Sequence, residues 1–65
     1  MKKRADLLMP GDRIVSENDG VVMVLKNMEA SDGDRVLMVL KPNGKRTLLK
    51  VARLQEVPLH TDRVL

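Results

Sequence analysis

The chain has 65 residues, a net charge of +3 at pH 7, an apolar content of 43%, no cysteine and no aromatic residue. These features exclude a disulfide framework, a thiolate metal centre and the stacking of nucleic-acid bases on aromatic rings. One histidine, His60, cannot build a zinc site, so no cofactor or metal is expected and stability must come from packing or a partner.

The order of the chain reads as a single domain over residues 1–65, with 1–5 and 60–65 as flexible tails. The basic start MKKR meets no apolar run of signal-peptide or membrane-spanning length. The expectation is a cytoplasmic protein with no membrane partner. Pro10-Gly11-Asp12 then marks a turn, since Pro presets φ and Gly can take φ > 0. A first strand follows over residues 13–16. Asp19-Gly20 is a hairpin signal leading into a second strand over residues 21–28. Residues 29–34, EASDGD, form a polar loop, and residues 35–40 a third strand. Lys41-Pro42-Asn43-Gly44 suits a tight turn with Gly in the left-handed position of a bulge. Residues 45–51 read as a fourth strand, because Thr47, Leu49 and Val51 alternate with Arg46 and Lys50. Leu48, Val51, Ala52 and Gln55 also fall at helical spacing, so a helix over residues 46–56 is the rival reading. One helical turn is expected near residues 52–55, and residues 57–59 read as an edge strand, where Pro58 is tolerated.

The stretch VMVLK at residues 22–26 returns as LMVLK at 37–41. Paired as one antiparallel hairpin, with Met23 opposite Leu40 and Val24 opposite Val39, these strands are apolar on both faces. One face holds Val22, Val24, Leu37 and Val39, and the other Met23, Leu25, Met38 and Leu40. A sheet with one wet face would alternate. One face can enter a core and the other needs a cover. Val22, Val24, Leu37 and Val39 are the expected protein interface.

Short strands joined by tight turns give an all-β fold, a small antiparallel barrel of four to five strands. LMPGDRIV at residues 8–15, followed by Gly20 and VVMVL, resembles the opening of prokaryotic SH3-like and KOW-type barrels. It is similar to short basic actinobacterial and phage proteins. The resemblance implies an SH3-like barrel and, for KOW-type members, nucleic-acid binding.

Catalytic chemistry finds no support. Ser16 and Ser31 fall in turns without a nucleophile motif, and His60 has no base partner that the sequence can supply. Asp32-Gly33-Asp34 lacks the further acidic positions of a calcium loop. Charge is uneven: residues 1–13 carry +2, residues 14–34 carry −4 and residues 35–65 carry +5. Lys41, Lys45, Arg46 and Lys50, with Arg53 nearby, could bind phosphates. The turns ENDG and KPNG should share one end of the sheet, so Glu17 and Asp19 should partly neutralise that cluster. The expectation is a non-enzymatic interaction module with a protein partner or second copy, favouring a homodimer and taking no small-molecule substrate. The alternative is a small DNA-binding barrel using the residue 41–50 hairpin.

Overall fold

The computed structural model describes residues 1–60. Its elements are β1 (Lys2–Arg4), a 3-10 turn (Ala5–Leu7), β2 (Arg13–Ser16), β3 (Gly20–Glu29), β4 (Arg35–Leu40), β5 (Arg46–Val51) and β6 (Glu56–Pro58). The fold is all-β: β2-β3-β4-β5 form an antiparallel meander, and β1 pairs with β6 in a two-stranded antiparallel ribbon. An antiparallel bridge between Ile14 and Leu59, and a bond from the His60 N–H to the Arg13 carbonyl at 2.9 Å, join the ribbon to β2.

The meander follows from local chemistry. The Asp12 N–H reaches the Met9 carbonyl at 3.0 Å, closing a turn whose Gly11 has φ 96°. The two long hairpins use one turn geometry twice. Gly44 donates to the Lys41 carbonyl at 2.9 Å and Gly33 to that of Ala30 at 3.0 Å, with φ 85° and 90°. Asn43 Oδ1 accepts the Lys45 N–H, and Asp32 Oδ1 that of Asp34. Asp, Asn and Gly are the residues that make such turns cheap. EASDGD is therefore a bulged hairpin turn of the same kind as KPNG.

Met23 opposes Leu40 and Val24 opposes Val39, as the paired runs required. Beyond Val24 the register shifts, and Lys26 opposes Met38. This bulge at Leu25 lets two residues stand opposite one. It has a consequence for side-chain direction. Val22 and Val24 point inward before it, and Asn27, opposite buried Leu37, points inward after it.

Several expectations are corrected here. There are six strands rather than four or five, because residues 2–4 are paired. Lys2, Lys3 and Arg4 face Pro58, Val57 and Glu56, and Ala5 is fully buried, so residues 1–5 are no tail. Residues 46–51 are strand, which removes the helical rival. Residues 52–55 form a turn closed by Gln55 N–H to the Ala52 carbonyl at 3.1 Å, and the helical turn sits at Ala5–Leu7 instead. The last strand is one residue earlier than expected, and His60 is tied to β2. Residues 61–65 of the expected tail lie outside the described residues.

The core lies between the inner face of the meander and the β1–β6 ribbon. It comprises Ala5, Leu8, Ile14, Val22, Val24, Leu37, Val39 and Val57, with Leu49, Val51 and Leu59 packed against it. All are aliphatic, and no polar or charged residue is buried among the described residues.

Candidate interaction faces

Val22, Val24, Leu37 and Val39 share one face, as read from the sequence, but they are at most 1% exposed. They are the core and not an interface. The chain supplies its own cover for them: the 3-10 turn, Leu8 and Val57 of β6 pack over the same cluster. Asn27 locks that cover down. Its Nδ2 donates to the carbonyls of Ala5 at 2.9 Å and Leu8 at 2.8 Å, and its Oδ1 accepts from Arg35 Nε at 2.8 Å. Sequence reasoning missed Asn27. The only signal was a lone amide in an apolar strand.

The opposite face of the meander is the one that no other element covers among the described residues. Strand register arranges it in rows. Val15 stands beside Val21, and Met23 beside Leu40. Met38 stands between Lys26 and Leu48, and Val36 lies between Met28 and Lys50. None of these apolar residues is fully buried, and Leu48 is 59% exposed, Val15 43% and Met28 37%. Alternation along each strand puts Arg13, Lys26, Arg46 and Lys50 on this same face. The strand positions of the face hold no carboxylate.

The basic residues singled out from sequence do not form one patch. Lys41 Nζ lies 3.5 Å from Asp19, the neutralisation expected of the shared ENDG and KPNG end. Lys50 pairs with Asp32 and approaches Asp34 at the other end of β5. The Asp32 bond raises the Lys50 ammonium above its ordinary value and holds the Asp32 carboxyl low. Lys45 and Lys50 are five strand residues apart, roughly 17 Å. Lys45, Arg46 and Arg53 are exposed, and no ion pair engages them among the described residues.

A groove of about 280 Å³ separates β5 from the β2–β6 junction. Ile14 and Val15 line it from β2, Leu49 and Val51 from β5, and Val57 and Pro58 from β6. Ser16, Glu17, Lys50 and Gln55 complete its lining. No cluster of three or more acidic or histidine groups among the described residues could hold a metal ion. No described helix is long and apolar enough to cross a membrane. No family model, curated protein or solved structure matches the chain. The likeness to SH3-like and KOW-type barrels therefore rests on LMPGDRIV, Gly20 and VVMVL in the sequence.

Proposed function

We propose that this chain is a non-catalytic docking module that binds another protein through the outer face of its four-stranded sheet. The observation that carries the reading is that face itself: contiguous Val, Met and Leu side chains over four strands, covered by no other element among the described residues. Contiguous exposed apolar surface is characteristic of interaction sites, and Met-rich surfaces adapt to their partners. A standard interface takes roughly 800 Å² from each side. That is about a sixth of the 4739 Å² surface of this chain.

Charge selects the occupant. The strands of the face hold no anion; Lys50 is held by Asp32, while Lys26 and Arg46 join no ion pair among the described residues, so a second copy laid face to face would bring like charges together. Such juxtaposition disfavours a partner strongly. A different protein with an apolar centre and acidic surroundings fits better than a homodimer.

The test is a titration of isotope-labelled chain with an amphipathic helical peptide bearing Leu on one face and Glu at its margins. The same peptide with Lys for Glu is the control. Saturating shifts at Met23, Met38 and Leu48 amides are expected with the acidic peptide only. Met38→Glu should abolish them and added salt weaken them. Equal response to the basic peptide, or none to the acidic one, overturns the reading. So does a dimer by light scattering that Met38→Glu dissociates, which gives the face to a second copy. Duplex binding lost on reversing Lys45 and Arg46 would favour the nucleic-acid alternative.

A further inference from the structure

The two bulged hairpin turns make the same three hydrogen bonds. In one, Lys41 N–H donates to the Lys45 carbonyl at 2.8 Å, Gly44 N–H to the Lys41 carbonyl at 2.9 Å and Lys45 N–H to Asn43 Oδ1 at 2.9 Å. In the other, Ala30 N–H donates to the Asp34 carbonyl at 2.8 Å, Gly33 N–H to the Ala30 carbonyl at 3.0 Å and Asp34 N–H to Asp32 Oδ1 at 3.1 Å. At the residue whose side chain closes the third bond, Asn43 stands where the twin turn has Asp32.

An asparagine before glycine is open to attack by the next backbone nitrogen, since glycine has no side chain to obstruct ring closure. Asn43 and Gly44 are exposed, and a Cβ at Gly44 would meet nothing within 4 Å. The other two asparagines lack this arrangement. Asn18 precedes Asp19, and Asn27 precedes Met28 with its side-chain amide bonded to two carbonyls. Asp32 does precede Gly33, but the Lys50 bond holds its carboxyl low and ionised, and a carboxylate resists a nucleophile.

We infer that Asn43 is a site of self-modification, where the Gly44 nitrogen converts the side-chain amide to a carboxylate with water as the co-reactant. The Gly44 N–H gives its proton to hydroxide, and the nitrogen bonds to Asn43 Cγ. The Cγ–Nδ2 bond breaks and ammonia leaves. Water then opens the cyclic imide: attack at Cγ yields aspartate, and attack at the main-chain carbonyl yields isoaspartate. The fold controls the rate. The Lys41 carbonyl holds the Gly44 N–H and the Lys45 N–H holds Asn43 Oδ1, so the ring closes only when the turn opens locally. The fold also sorts the products. Asp32 shows that an aspartate satisfies this turn, whereas isoaspartate adds a carbon to the main chain and breaks it. The new carboxylate enters the turn that Lys41, Lys45 and Arg46 flank, lowering its charge by one unit. This site is independent of the sheet-face reading.

The experiment ages the full chain in water enriched in heavy oxygen at mildly alkaline pH, folded and in urea. Peptide mass spectrometry then reads each asparagine. Heavy oxygen should enter at Asn43 ahead of Asn18 and Asn27 in the folded chain. Urea should speed its entry severalfold. Gly44→Ala, compared with the parent in urea so that turn strain plays no part, should slow it severalfold. Asn43→Asp should fold with a thermal midpoint within a few degrees of the parent. Entry at Asn43 no faster than at Asn18 and Asn27, or unchanged by Gly44→Ala, overturns the site. Equal rates in the folded chain and in urea overturn control by the turn. A collapsed midpoint for Asn43→Asp shows that the turn rejects the product and overturns that part of the inference.

Discussion

Asn27 sits on the inner side of β3 because the bulge at Leu25 resets the alternation of the strand. It gives two hydrogens to carbonyls of the 3-10 region and receives one from Arg35. Both carbonyls belong to buried residues, Ala5 and Leu8. Removing their shared donor leaves the Leu8 carbonyl unpartnered and the Ala5 carbonyl with only the 3.3 Å bond from the Leu8 N–H, which costs more than a hydrogen bond normally contributes. Asn27→Leu should lower stability by about 2–4 kcal/mol in urea denaturation. Leu37→Ala should cost a similar 2–5 kcal/mol, since Leu37 is fully buried and leaves a cavity. Leu48→Glu should stay within about 0.5 kcal/mol of the parent, because Leu48 is 59% exposed. That contrast separates the core from the exposed face.

Asp12 is the residue-scale source of acid sensitivity. Partial burial works against its charged form, but the Met9 N–H and the Lys3 ammonium, 3.1 Å away, outweigh it and hold the carboxyl below 3.8. The Arg4 guanidinium lowers Asp6, and Lys50 lowers Asp32. Each is depressed on folding, so its contribution is present above the unfolded value, about 3.9, and is lost as pH falls through the folded one. The urea midpoint should be level down to about pH 5 and fall below about pH 4. Asp12→Asn should shrink that fall.

At the scale of elements, two hairpins share a turn and differ in charge. KPNG is set by Pro42, Asn43 and Gly44. ASDGD reaches the same bulged geometry with Asp32 in the place of Asn43. Gly44 is the sensitive position, since φ 85° disfavours any side chain although a Cβ would touch nothing within 4 Å. Gly44→Ala should therefore cost about 1 kcal/mol or more through backbone strain alone, measured by thermal unfolding. Asp32 has a second role, because its side chain also holds Lys50 across the hairpin. The Asp-Gly-Asp run that resembles a calcium loop is thus occupied by turn and ion-pair bonds.

At the scale of the molecule, the question was which side of a doubly apolar hairpin would be covered. A small chain buries a limited share of its surface, so it can close only one side. The ribbon of β1 and β6 closes the Val22–Val39 side. Closure also uses up residues 1–5 and 56–60, so that no other element covers the Met23–Leu48 side among the described residues.

The sequence by itself determined the all-β class, the first three meander strands, a preference for strand over helix in the fourth, the turns at Gly11 and Gly44, and the membership of the two apolar faces apart from Leu25. These are local matters: period-two alternation and the φ demands of Pro, Asn, Asp and Gly act within a few residues. Only the tertiary structure decided which face became core. Lys2–Arg4 looks like a solvated start because its side chains are charged. It is a strand because its backbone finds β6 more than fifty residues away. No pattern inside KKR announces that pairing. The bulge at Leu25 was equally hidden, since both registers keep the hairpin apolar on two sides. The roles of the Val and Met faces were exchanged for that reason: periodicity assigns residues to a face, and long-range chain closure alone decides which face meets water.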